Sequence, residues 1–205
     1  MRIFVLTAGR TASQTVALAC EHIEGMSAAH ESRRRMIEQR LDYPNNHIEV
    51  DNRLAWFLGS LERLYDDTDT FYVFLRRDPE QVASSYIKRW HITVSIVRAF
   101  YHGILMCRNE KPTEDEKLAS AQLFVQTVED NINAFLRRRS HYAVINTETL
   151  EQDFLTFMET ASLEGDREAI RAILNSTNNP NKPKKTLGQK FVGLFTGRNS
   201  RRSPS

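Results

Sequence analysis

The sequence of 205 residues predicts an α/β fold, a parallel β-sheet flanked by helices. Three observations predict it. Short apolar, β-prone runs at residues 2–8, 47–50, 71–75 and 141–145 alternate with stretches of helical periodicity. The first run stops at Gly9 and passes directly into a helical segment, the opening half of a βαβ unit. The run Phe71-Tyr72-Val73-Phe74-Leu75 is apolar without a break, as a strand covered on both faces requires.

Each element has a local reason. Residues 13–23 read as the first helix, and residues 47–50 as a short second strand. Asn52 is placed to cap a helix in which Leu54, Phe57, Leu58, Leu61 and Leu64 recur at i, i+3, i+4, i+7 and i+10, one buried face. After residues 71–75, Asp78-Pro79-Glu80 supplies an N-cap acid, a proline at the first helical position and a second acid near the dipole's positive end. Helix is expected from there through about residue 107. Residues 111–116 form a polar loop, 117–139 a long helix and 141–145 a last strand, with helices near 151–162 and 166–175. The sheet's ligands are then expected at the carboxyl ends of its strands.

Composition narrows the class. With 11 Phe, 6 Tyr and 2 Trp among regular aliphatic runs, the chain has the material for a packed core. It contains no run of the ~20 apolar residues that a membrane span needs. The opening MRIFVLTA is too short for a signal peptide, and Cys20 and Cys107 form neither a metal spacing nor a disulfide framework. These features predict a cytoplasmic protein with no metal site.

The net charge of +2 conceals a division. Residues 181–205 hold seven basic residues and no acid, so a body of −5 over residues 1–180 carries a tail of +7. The body is read as one α/β domain and the tail as a flexible basic appendage. Leu187, Phe191, Leu194 and Phe195 give the tail an amphipathic pattern suited to a lid or to weak contact with an anionic membrane surface. The acidic body and the absence of a base-reading motif argue against a nucleic-acid partner.

Two strand ends carry chemistry. Gly9-Arg10-Thr11-Ala12-Ser13-Gln14 follows the first strand and leads into a helix. A small-residue turn at a helix N-terminus aims several backbone N–H groups at one point, where an anion fits. Arg10 adds a charged grip, and Thr11 and Ser13 add hydroxyls. A Walker A loop is excluded, because its lysine is absent. The second is Arg77, at the end of the buried run, with Ser85 eight positions on in the next helix. That pair can share a second phosphate, or Asp78 simply caps the helix while Arg77 pairs with an acid.

Taken together, the two segments resemble the nucleotide-binding motifs of the sulfotransferases that use 3′-phosphoadenosine 5′-phosphosulfate (PAPS). The resemblance spans roughly residues 1–150 and implies a P-loop NTPase-like sulfotransferase fold. It implies that Gly9, Arg10, Thr11, Ala12, Ser13 and Gln14 hold the 5′-phosphosulfate, and that Arg77 and Ser85 hold the 3′-phosphate. Glu31, 21 residues after Arg10, stands where the tyrosylprotein branch of that family has its catalytic base, and Arg33 matches an arginine two residues beyond. Other branches use a histidine, which makes His30 a competitor. His91 is a more distant one. Glu31 can equally be a surface acid paired with Arg33, Arg34 or Arg35. Thr147-Glu148-Thr149-Leu150 resembles a structural Glu-Asp-Leu segment of the family.

Ala12 departs from the pattern, which has Gly there. If that position needs positive φ, a methyl group weakens phosphate binding. Gln14 replaces a Thr or a hydrophobic residue. The resemblance implies sulfuryl transfer from PAPS to a hydroxyl or amine acceptor, with 3′,5′-adenosine bisphosphate (PAP) as product and no metal. A homo-oligomer is one way to complete the acceptor pocket. Two other classes stay open: a non-catalytic nucleotide- or membrane-binding module with a decayed phosphate loop, and an ATP-dependent P-loop kinase.

Overall fold

A computed structural model describes residues 1–65 and 67–176. The basic tail and the last four residues of the expected domain lie outside the described residues. Five strands, β1 (Arg2–Leu6), β2 (Ser27–His30), β3 (His47–Val50), β4 (Thr70–Arg76) and β5 (Tyr142–Asn146), form one parallel sheet in the order β2-β3-β1-β4-β5. The predicted fold class is therefore the observed one. The helices are α1 (Ser13–Cys20), α2 (Leu58–Leu64), α3 (Pro79–Ile87), α4 (Ile96–Ala99), α5 (Glu114–Leu136), α6 (Leu150–Thr160) and α7 (Arg167–Ser176).

Alternation along the central strands divides the core into two layers. Ile3 and Val5 of β1, with Phe71, Val73 and Leu75 of β4, pack with residues of α1, α6 and α7. Phe4 and Leu6, with Tyr72 and Phe74, face the opposite way into residues of α3 and α5. Both central strands are buried on both faces, which explains their unbroken apolar runs. After β1 the chain crosses to one side for β2 and β3, then returns for β4 on the other side. The switch in direction falls beside β1, and a crevice at the carboxyl ends follows from it.

Several expected elements are corrected. β2 was not predicted, since Ser27-Ala28-Ala29-His30 has no β-branched or aromatic residue; it is an edge strand hydrogen-bonded to β3. The helix expected to start at Asn52 is two pieces. Asn52–Trp56 is a 3₁₀ turn capped by Asp51, whose carboxylate accepts from the Arg53 amide at 2.8 Å, and α2 begins at Leu58. The single buried face breaks accordingly: Leu54 and Leu61 are fully buried, whereas Leu64 is exposed. The helix opened by Asp78 ends at Ile87, and the expected helix up to 107 is replaced by α4 and a π-helical turn, Phe100–Ile104. The long helix starts at Glu114 because Thr113 and Glu116 form a capping box.

The exit of β3 is anchored by a buried ion pair. Asp51 has no exposed surface, and Arg40 Nη2 donates to its Oδ2 at 2.6 Å. Burial raises the Asp51 pKa even though the Arg53 amide and Arg40 oppose it. Replacing Arg40 with Met removes one opposing charge and raises that pKa further. A carboxyl with a raised folded-state pKa gives stability that is fully present below its unfolded value and is lost as pH rises through the folded one. Arg40→Met is therefore expected to cost about 3 kcal/mol at neutral pH, as for other broken buried pairs. The deficit should shrink on acidification toward pH ~4, near the ordinary carboxyl range. Urea titrations of both proteins across pH check this; a pH-independent deficit contradicts it.

Candidate functional site

The loop after β1 reverses the chain through left-handed backbone. Gly9 has φ 84°, Arg10 63° and Ala12 56°. At Gly9 the requirement is steric as well as torsional. A β-carbon there would lie 2.5 Å from the Tyr86 hydroxyl and 2.9 Å from Asn52 Nδ2. Tyr86 donates to the Ala8 carbonyl at 2.6 Å, which fixes α3 against the end of β1. The turn then meets α1, which has no side-chain cap and no acid in its first turn. Among the described residues, the amides of residues 10–14 have no acceptor. A row of unclaimed donors at a helix N-terminus can receive an anion.

The predicted residues divide by position. Arg10 and Ser85, 75 positions apart, meet directly, with Arg10 Nε donating to Ser85 Oγ at 3.0 Å. Arg77 joins them: its Nη1 donates to the Arg10 carbonyl at 3.3 Å, and its Nε and Nη2 hold Gln81 Oε1 at 3.2 and 2.8 Å. The bland reading, Arg77 paired with an acid, is overturned because its side-chain partner is an amide. Asp78 does cap α3, accepting from the Gln81 amide at 2.9 Å. Arg77, Ser85 and Lys88 line an open cleft of about 580 Å³, together with the carboxylates of Asp78 and Glu80.

Thr11 departs from expectation. It is buried, and its hydroxyl lies 2.6 Å from that of Thr7, so it braces the loop from within and leaves only its amide for an anion. Ser13 keeps an outward hydroxyl, 2.9 Å from His30 Nε2. Gln14 is exposed on α1. Ala12 resolves the conditional set by the sequence: its φ is positive, so its methyl group carries the left-handed penalty of about 1 kcal/mol.

Glu31 follows β2 directly, also in left-handed backbone with φ 50°. Its Oε1 pairs with Arg53 Nη1 at 3.0 Å. The expected partners are thereby corrected. Arg33 instead lies over the Tyr43 ring at 5.8 Å, and no ion pair joins Glu31 to Arg34 or Arg35. Arg53 was missed because its role depends on β3 ending beside β2, a neighbour relation no local pattern encodes. His91 is exposed. Glu148 accepts from the Asp78 amide at 3.3 Å and so tethers the end of β5 to α3, which fits the structural role expected of its segment.

Electrostatics mark the crevice as unbalanced. Arg10, Arg77, Lys88 and Arg89 sit on adjoining segments, and among the described residues none has a carboxylate partner within 4.0 Å. Burial, then Arg89, then Arg77 pull the Arg10 guanidinium below its usual range, against an opposing influence from Tyr86. Arg89 had no sequence signal beyond its charge. Among the described residues, no group of three His, Cys, Asp or Glu could hold a metal ion, and no helix is long and apolar enough to cross a membrane.

Comparison with known proteins gives one kind of likeness. No family model matches the sequence, and no curated protein matches it. Among solved structures, a sulfotransferase domain from the curacin biosynthetic pathway superposes with a TM-score of 0.58 at 13% identity, over 82% of this chain and 75% of that one. The fold is sulfotransferase-like.

The loop makes two opposite predictions about stability. Ala12→Gly relieves the left-handed strain and should stabilise the protein by about 1 kcal/mol. Gly9→Ala adds strain and a clash with Tyr86, and should cost at least about 2 kcal/mol. Chemical denaturation at neutral pH measures both, and equal midpoints for the two variants contradict the assigned geometry.

Proposed function

We propose that this protein is a sulfotransferase, moving a sulfuryl group from PAPS to a hydroxyl or amine acceptor. The observation that carries the reading is the interlocked set Arg10, Ser85 and Arg77, beside uncapped amides and with neither arginine in an ion pair within 4.0 Å among the described residues. Such a cluster is costly unless an anion occupies it, and a donor with phosphate groups at both ends of a nucleoside supplies that charge. The sulfotransferase-like fold supports the same reading.

The roles follow from position. The amides of residues 10–14 and the Ser13 hydroxyl would hold the 5′-phosphosulfate. Charge growing on its bridging oxygen during S–O cleavage would be met by donors already fixed in place. Arg77 and the Ser85 hydroxyl would take the 3′-phosphate. Ser85 accepts from Arg10 and still has its own proton to donate. Arg10 thus joins the two phosphate sites through one side chain.

Glu31 is the proposed base. Arg53 occupies Oε1, which leaves Oε2 for the proton of the acceptor hydroxyl. His30 is assigned a positioning role, since its Nε2 is already engaged by Ser13 on the donor side. The donor would remain within the crevice through the two arginines while only the acceptor exchanges a proton.

Thermal shift with PAP, AMP and ATP tests the donor. At ~100 times its dissociation constant, PAP should stabilise the protein by about 2.7 kcal/mol, with AMP well behind. An equal shift with AMP removes the 3′-phosphate assignment, and a shift with ATP plus Mg²⁺ alone favours the kinase reading. Arg77→Ala and Ser85→Ala should each weaken PAP by about 10-fold, the loss of one charge-assisted contact.

Transfer separates the two base candidates. Glu31→Gln should lower the rate by about 10²-fold or more with PAP affinity intact. His30→Ala should chiefly weaken PAP, because it releases Ser13. Radiolabelled sulfuryl transfer, read beside PAP binding for each variant, checks this. Loss of transfer in His30→Ala with unchanged PAP binding would reassign the base.

A further inference from the structure

Arg53 has two surroundings. Its guanidinium holds Glu31, and the same residue lines a second cleft of about 390 Å³ on the other side. That volume lies within the range of small-molecule sites, about 300–1,000 Å³. The remaining wall is almost wholly apolar: Trp56 and Phe57 from the turn after β3, with Ile96, Phe100 and Ile104 opposite. Trp56 stays 37% exposed and Ile104 61% exposed, so apolar surface faces solvent in the cleft lined by Arg53, the partner of the proposed base.

The opposite wall is built from unusual backbone. Phe100–Ile104 is a π-helical turn following the one-turn helix α4, and π-helical turns are frequent at functional sites. Phe100 is buried on Phe124 of α5 with ring centroids 5.5 Å apart, which holds the wall rigid. The polar groups on the lining are Arg53 and Ser95. A carbohydrate would leave most of its hydroxyls without partners there, at a cost for each one buried. An acceptor with one hydroxyl on an apolar body would bury the body and point the hydroxyl toward Arg53 and Glu31.

We propose that the acceptor is a hydrophobic alcohol or phenol seated in this cleft, a specificity that rests on the sulfuryl-transfer reading of the adjoining crevice. In the step, the acceptor oxygen forms a bond to sulfur and its proton passes to Glu31. The bond between sulfur and the bridging oxygen of PAPS breaks, and its electron pair leaves with the 5′-phosphate of PAP. Charge and atoms balance with no further reactant.

The test uses the full chain and three probes: 2-naphthol, N-acetylglucosamine and a short tyrosyl peptide. Naphthol binding is read without donor from tryptophan fluorescence, with Trp56→Phe as the control that assigns the signal. Transfer to each probe is read with radiolabelled PAPS. Naphthol should bind and be sulfonated, and the sugar and peptide should be at least ~10-fold poorer by kcat/KM. Val94→Asp and Ala99→Lys, both at exposed positions on the lining and so compatible with folding, should raise the naphthol KM at least ~10-fold. Their PAP affinity should not change.

If PAP binds and the sugar or the peptide is the better acceptor, the inference is overturned while the donor reading stands. An unchanged naphthol KM in both variants also overturns it, by placing the acceptor elsewhere. If PAP does not bind at all, the sulfuryl-transfer reading fails and the acceptor assignment falls with it. The fluorescence arm then shows separately whether the cleft takes an apolar ligand.

Discussion

The carboxyl edge of the sheet depends on the close approach of Tyr86 and Asn52 to Gly9. Tyr86 comes from α3 and Asn52 from the turn after β3, so a single glycine is where three strand exits converge. The Tyr86 hydroxyl closes the contact by donating to the Ala8 carbonyl. Burial raises the pKa of that hydroxyl well above the phenol range, so it remains a protonated donor throughout the working pH range. With this contact fixed, Arg10 is delivered to Ser85, and Arg77 to the Arg10 carbonyl. A β-carbon at residue 9 would push these exits apart and uncouple groups that stand about 70 positions apart in sequence.

Charge then separates the two sides of the crevice. On the side of α3, Arg10, Arg77, Lys88 and Arg89 have no carboxylate within 4.0 Å among the described residues, although Asp78 and Glu80 share the lining of the cleft with Arg77 and Lys88. On the side of β3, the acids are occupied: Asp51 by Arg40, Glu49 by Ser32 and His47, and Glu31 by Arg53. Four basic side chains thus gather at one end of the site even though residues 1–180 carry a net charge of −5. Arg53 stands at the boundary. It pairs with one oxygen of Glu31 and lines an apolar cleft, so an ion pair and an apolar surface meet across one side chain.

What was legible in the sequence follows from how local each signal is. The buried strands declared themselves through unbroken apolar runs, and α3 through Asp78-Pro79-Glu80, because burial on two faces and helix capping are written in adjacent residues. Arg10, Arg77 and Ser85 were legible as motifs, yet their mutual contacts were not, since those arise only when β1 and β4 lie side by side. β2 escaped because an edge strand of Ser, Ala and His gains its stability from pairing with β3 and has little intrinsic preference. Asp51 took the cap expected of Asn52, with one carboxylate oxygen on the Arg53 amide and the other on Arg40. The inward turn of Thr11 was likewise hidden, as only the fold places Thr7 against it.

Left-handed backbone recurs at the site, although Arg35, Asn46, Met106 and Ser162 adopt it elsewhere among the described residues. Arg10, Ala12 and Glu31 are non-glycine residues in left-handed backbone, and all three lie at the carboxyl ends of β1 and β2. Each costs of order 1 kcal/mol and persists only where the surroundings over-determine it. At Ala12 the surroundings are identifiable: Thr11 is tied to Thr7 just before it, and Val16 donates to the Ala12 carbonyl just after it. A loop no longer under constraint would relax toward negative φ, since alanine has every reason to do so. Here the turn keeps its left-handed course, with its amides unclaimed, at the cost of that methyl group. The departure at residue 12 therefore carries a cost in the loop's stability, while the amides around it stay unclaimed among the described residues.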